Sequence, residues 1–158
     1  MKIQLAILAA CCCGVAFADD ASDEAGVIAV IQDFFSAMAA RDADRLGDLM
    51  TEDGMIYGYR ETEDGLDIFR QPNAGFIDNV AGSTGVPLER FWSPQVLVHD
   101  RIATVWTPYD FHRDGEFSHC GINNFSLIKS DAGWIVTGVV FSMQTTDCEG
   151  PPAADRSD

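Results

Sequence analysis

Apolar residues near the start of the chain recur at helical spacing. Val27, Ile31, Phe34 and Met38 follow at intervals of four, three and four, with Ile28 and Phe35 beside them. That spacing predicts an amphipathic helix with a broad apolar face, which Ser22 or Asp23 can cap at a start near Glu24. Arg41-Asp42-Ala43-Asp44 breaks the pattern, a short second helix carries Leu46, Leu49 and Met50, and Asp53-Gly54 ends it. Met55 to Tyr59 reads as a short strand, with Tyr57 and Tyr59 on one face. From Glu61 to Gly85 the pattern is weaker. Phe69, Phe76, Ile77 and Val80 could line a third helix, whose start Pro72 restricts to about its own position, and Gly82-Ser83-Thr84-Gly85 is a loop. From Val86 onward the period shortens to two, through LERFW, QVLV, RIATVWTPYDFH, EFSHCGINNFSLIK and GWIVTGVVFSMQTT. Residues 149–158 read as a disordered tail. Helices followed by a run of antiparallel strands predict an α+β architecture, with the helices segregated on one side of a curved sheet.

Turns set which residues share a face. Asp114-Gly115 is a strong two-residue hairpin signal. Closing the chain there sets His112 opposite Phe117, Asp110 opposite His119, and Trp106 opposite Asn123. A second turn across Ser130-Asp131-Ala132-Gly133 sets His119 opposite Gln144, Asn123 opposite Val140, and Gly121 opposite Ser142, unless a longer loop or a bulge shifts that register. Alternation then gathers Trp106, Asp110, His119, Asn123, Phe125, Ser142 and Gln144 on one face. Aromatic walls with a few placed polar groups are the composition of a ligand pocket. The opposite face carries Val105, Tyr109, Ile122, Val139, Phe141 and Met143, apolar enough that Ile122, Val139 and Phe141 are expected to meet a second copy of the chain. A carboxylate beside an imidazole raises its pKa and fixes its tautomer, so Asp110 and His119 are the catalytic candidates if the protein is an enzyme. The plainer reading is two polar groups satisfying each other at a sheet end. Trp106 and Phe125 fit a simple core equally well, whereas a buried Asn123 needs a partner.

Charge narrows the possible partners. The 158 residues carry 25 acidic against 10 basic groups, a net charge of −15, and removal of Lys2 with a leader takes this to −16. Such a chain repels phosphate backbones, so nucleic acid is excluded as a partner. With 47% hydrophobic residues it can bury a core. Lys2 followed by IQLAILAACCCGVAF, with Ala16-Phe17-Ala18 before Asp19, reads as a signal peptide over residues 1–18. The apolar run is too short to span a bilayer, so periplasmic or secreted release is expected, without an integral membrane span. The alternative is a lipoprotein anchored through Cys11, since Leu8-Ala9-Ala10-Cys11 matches a lipobox. Beyond the leader only Cys120 and Cys148 remain, an even pair that export would oxidise. Register opposes that disulfide, because Cys120 is expected opposite Met143 with Cys148 five residues further on. No CxxC or His/Cys cluster has metal-ligand spacing, so no metal is expected. Asn124-Phe125-Ser126 fits a glycosylation sequon but lies within a strand, and Asp42-Ala43-Asp44 lacks the rest of a calcium loop.

VIQDFFSAMAARDADRLGDLMTEDG resembles the opening of the nuclear transport factor 2-like superfamily: a long helix, a short helix, then a small strand. VWTPYDFHRDGEFSHCGINNFSLIKSDAGWIVTGV resembles the sheet of its exported bacterial members, the SnoaL-like or lumazine-binding-like proteins. The resemblance spans about Glu24 to Cys148, within a domain over residues 19–148. It implies a cone-shaped antiparallel sheet wrapped around the N-terminal helices, an internal cavity and dimerisation through the sheet. The superfamily includes isomerases, dehydratases, epoxide hydrolases, cyclases and non-catalytic binders, so fold alone does not choose a function. Ketosteroid-isomerase-like members carry a catalytic acid where Phe125 stands here and a general base near Gly58, so neither residue carries over. Three function classes follow. The first is an exported binder of a small apolar or aromatic ligand, without a cofactor, through Trp106, Asp110, His119, Asn123, Phe125, Ser142 and Gln144. The second is a cofactor-free lyase, isomerase or hydrolase using His119 with Asp110, and the third is a sheet-mediated interaction module.

Overall fold

The first helix is longer than its expected caps allow. In the computed structural model, which describes residues 18–152, α1 runs Ala18–Ala40, starting six residues before Glu24. Ser22 and Asp23 lie inside it. Asp23 makes an ion pair with Lys129, whose ammonium sits 5.7 Å over the Trp134 ring. Val27, Ile31, Phe34, Phe35 and Met38 are buried. Arg41, at φ 56°, turns the chain out of α1, and the Asp42 carboxylate accepts from Arg45 N at 2.9 Å to cap α2 (Ala43–Leu49).

The strands are β1 (Met50–Thr62), β2 (Gly65–Pro72), β3 (Pro87–Phe91), β4 (Gln95–His99), β5 (Ile102–Arg113), β6 (Glu116–Ser130) and β7 (Gly133–Met143), with α3 (Asn73–Ala81) between β2 and β3. The sheet order is β2-β1-β7-β6-β5-β3, and β4 pairs with the other half of β5. Two expectations are corrected here. Phe69 belongs to β2, an edge strand on β1, and α3 begins only after Pro72. The edge position leaves Leu66 and Ile68 exposed, which is why no clean amphipathic signal marks the strand. The sheet is mixed rather than all antiparallel, because β1 runs parallel to β7.

Both predicted turns form, and both hairpins then slip by one residue. Asp114 and Gly115 take φ 54° and 82°, and Arg113–Glu116 and His112–Phe117 pair as expected. A bulge at Ser118 then sets His119 opposite Phe111, and Cys120 opposite Asp110. In the next hairpin Ser130–Gly133 through Leu127–Val136 pair as expected. A bulge at Thr137, whose hydroxyl donates to Ser126 O at 3.0 Å, sets Phe125 opposite Val139, Asn124 opposite Val140, and Asn123 opposite Phe141. Each slip inverts the parity of the facing strand beyond it. The face predicted for β6 is therefore inward, whereas the β5 and β7 residues grouped with it face outward.

The shifted register also brings the cysteines together. Cys120 bridges to Gln144 rather than Met143, the chain reverses at Asp147 (φ 56°), and Cys120 and Cys148 form a disulfide with Cα atoms 5.9 Å apart. Residues 1–17 and 153–158, which include all but the last residue of the expected signal peptide, Cys11 and most of the tail, lie outside the described residues. No helix among the described residues is long and apolar enough to cross a membrane.

Candidate functional site

The inner face of the sheet and the helices enclose a cavity of about 310 Å³. Phenylalanines build its floor. Phe125 meets Phe34 edge-on at 5.4 Å and Phe35 at 5.7 Å, and Phe34 stacks on Phe76 at 5.7 Å. Val139, Phe141 and Met143 form the β7 wall. Alternation explains the set: on β5 it turns Tyr109, Phe111 and Arg113 inward, and on β3 it turns Pro87 and Glu89 inward.

Polar groups are few and specific. Glu89 faces the cavity from β3, and its carboxyl accepts a hydrogen bond from Asn123 Nδ2 at 2.7 Å. That bond answers the need of a buried Asn123 for a partner. Burial pushes the Glu89 carboxyl up to about 8; the Asn123 bond works the other way, and the nearby Asp110 charge adds to the rise. Its side chain is only partly buried and lines the cavity. At neutral pH Glu89 is therefore mainly a carboxylic acid, able to donate as well as accept. Tyr109 donates its hydroxyl proton to Ser142 O at 2.8 Å, and burial, with the Glu89 charge, raises its pKa. His119 stacks on Phe111 with ring centroids 5.0 Å apart, and its Nδ1 is 3.0 Å from Ser118 Oγ. Desolvation first, then the Arg113 charge, lowers the His119 pKa, which favours a neutral ring.

His119, Asn123 and Phe125 line this cavity, and Trp106, Asp110, Ser142 and Gln144 do not. The expected Asp110–His119 pair is corrected: the bulge at Ser118 puts the two on opposite faces. Asp110 instead accepts from Arg90 Nε at 2.9 Å and lies 3.4 Å from His112 Nε2. Burial opposes its ionisation, but Arg90, and after it His112, more than offset that and lower its pKa. Trp106 is half exposed on the outer face. Ser142 contributes its carbonyl to Tyr109 and its hydroxyl to Ile122 N, and Gln144 Nε2 donates to Asp147 O. Val139 and Phe141, expected at a dimer contact, are cavity wall instead. Glu89, Tyr109, Phe111 and Arg113 were not singled out as cavity residues from the sequence. The available signal was the pattern of LERFW, where alternation keeps Glu89 in step with Phe91. No group of three or more His, Cys, Asp or Glu side chains among the described residues could hold a metal ion.

This arrangement, a curved open sheet of seven strands with N-terminal helices, is the nuclear transport factor 2-like fold. A nuclear transport factor 2-like superfamily protein from Salmonella enterica serovar Typhimurium superposes with a TM-score of 0.64 at 12% identity, over 83% of this chain and 97% of that one. A nuclear transport factor 2-like protein from Novosphingobium aromaticivorans superposes with a TM-score of 0.64 at 17% identity, over 86% and 88%. A candidate dehydratase of the same fold from Streptomyces avermitilis gives 0.64 at 14% identity, over 80% and 99%. No protein-family model matches the sequence, and no curated protein does.

Proposed function

We propose that the protein is an exported binder of a small, largely apolar ligand, held in the cavity with one polar atom against Glu89 and Asn123. The observation that carries this reading is the Glu89 carboxyl, set in an apolar cavity with Asn123 as its hydrogen-bond partner. A protein does not keep an acid in such a place for stability, because a hydrophobic residue there would cost nothing to desolvate. A neutral carboxyl facing an apolar cavity is a ready partner for a ligand carbonyl or hydroxyl. Native mass spectrometry before and after organic extraction tests the reading. The expected result is an added mass that extraction removes. Identical masses, together with no thermal shift from a library of small apolar compounds, would end it.

Glu89 also favours a second reading, a cofactor-free acid–base enzyme. A carboxyl poised at about 8 can exchange a proton near neutral pH. Asp110 plays no part in this version, since it faces away from His119. Glu89→Gln separates the two readings: a binder keeps its affinity within a few-fold, whereas an enzyme keeps binding and loses turnover.

The outer face suits a second copy of the chain. Trp106, Asn124, Val140 and Tyr57 form one row across four strands, with Trp106 50% and Val140 50% exposed. Homodimerisation through this row replaces the Ile122, Val139 and Phe141 contact expected from the sequence, of which Ile122 alone does not line the cavity. Sedimentation showing a monomer at micromolar concentration would count against it.

A further inference from the structure

In a chain with a net charge of −15, a cation without a partner stands out. Arg45 pairs with Asp33, Arg60 with Asp67, Arg90 with Asp110, Arg101 with Asp131, and Lys129 with Asp23. Arg41 donates to the Ser83 carbonyl. Among the described residues Arg41, Arg70 and Arg113 are in no ion pair, and of these three only Arg113 lines the cavity. Its acidic neighbours do not claim it. Glu116, its cross-strand partner, makes no ion pair with it, and the Asp114 carboxylate accepts from Val86 N at 2.8 Å instead.

Position along the strand gives the cavity a direction. Arg113, Phe111 and Tyr109 follow one another on the inner face of β5, from the hairpin end inward. Arg113 is exposed at that end, while Phe111 and the Phe125 cluster lie further in. At interior packing density the cavity holds about a dozen non-hydrogen atoms. An apolar body of that size fits among the phenylalanines, and a charged end cannot follow it without losing its hydration.

We propose that the ligand is a small amphipathic acid, an alkyl or aryl carboxylate, bound with its apolar body among the phenylalanines, any polar substituent on that body against Glu89 and Asn123, and its carboxylate on Arg113 at the cavity mouth. This rests on the ligand-binding reading of the cavity and adds the chemical class and orientation of what it binds. Arg is the residue suited to the task, since its planar fork meets a carboxylate through two parallel hydrogen bonds. The neutral Glu89 carboxyl deeper in the cavity does not repel such an anion, and ionised Glu89 would.

Calorimetric titration with octanoate, 1-octanol and octylamine tests the proposal on the wild-type protein and on Arg113→Gln, Arg113→Lys and Arg70→Gln. The wild type is expected to bind octanoate about tenfold more tightly than octanol, and octylamine least well. Arg113→Gln should remove the preference for octanoate, bringing its affinity down to that of octanol in the same variant. Arg113→Lys should retain part of the preference, and Arg70→Gln all of it. Octanol bound as tightly as octanoate by the wild type overturns this proposal and leaves the apolar-ligand reading standing. Loss of the preference in Arg70→Gln as well as Arg113→Gln also overturns it, since the attraction is then a general surface effect. Binding of none of the three probes overturns the proposal outright, and a negative native mass spectrum together with no thermal shift from the apolar library would take the cavity reading with it.

Discussion

At Glu89 the folded protein holds a carboxyl where ionisation is costly, and that cost has a pH signature. The unfolded chain ionises this residue near 4.5 and the folded protein only at about 8. Below the lower value both states are protonated and there is no penalty. Between the two values the folded state binds the extra proton, so stability falls as pH rises, and it levels off once the folded carboxyl also ionises. Glu89→Gln mimics the neutral acid and cannot ionise. Its thermal midpoint should decline less across that window than that of the wild type and end higher on the alkaline side. Melting curves followed by circular dichroism at constant ionic strength check this, and parallel pH dependences would remove the buried-acid assignment. Glu89 was hard to find in the sequence for a physical reason: it is in step with Phe91, but its charged neighbour Arg90 is in step with Leu88 and Trp92, so alternation favours neither as the inward residue.

Among the elements, what was legible was local. The apolar face of α1 follows from a period near 3.6 and strands β5 to β7 from a period of two, and the Asp114-Gly115 turn needs only its own two residues. The bulges at Ser118 and Thr137 have no such signature. A single extra residue leaves composition unchanged, and its cost is set by what packs across the strands. Those two residues explain why the site was only half assembled from sequence, with His119, Asn123 and Phe125 inside the cavity, and Trp106, Asp110, Ser142 and Gln144 outside it. β7 passes very close to β6 beyond the second bulge. A Cβ added at Gly121 would lie 2.1 Å from the Ser142 carbonyl oxygen, the atom that accepts from Tyr109. Gly121→Ala must therefore push β7 away, at a cost of about 1–3 kcal/mol. Urea unfolding should show that loss, and an unchanged midpoint would mean that β7 is free to yield there.

For the whole molecule, the covalent link from Cys120 to Cys148 fixes the segment after β7 against β6, beside the His119 wall of the cavity. The bond spans a sequence separation of 28, for which chain entropy gives about 3–4 kcal/mol. Cys148→Ser should lower the unfolding free energy by that amount and loosen the chain after Met143. Denaturant titration with hydrogen exchange measures both, and native protein with two free thiols would exclude the bond. The architecture as a class was legible because helices followed by strands admit few arrangements. The parallel neighbour of β1 was not, because no short-range pattern says which of five later strands it joins.

The partnership of β1 with β7 also decides when the protein can begin to exist as a fold. Met55 sits beside Gly138, and Tyr59 beside Ser142, so the first strand synthesised waits for the last. Until Gly133–Met143 has left the ribosome, β1 has only β2 to pair with, and a lone hairpin is barely stable in water. The phenylalanines of α1 meanwhile lack the Val139 and Phe141 side of their enclosure. Assembly is thus end-loaded: the domain stays open until β7 has been made, then condenses through contacts distant in sequence, a topology that folds slowly. A domain built this way remains threadable through a narrow channel until β7 emerges.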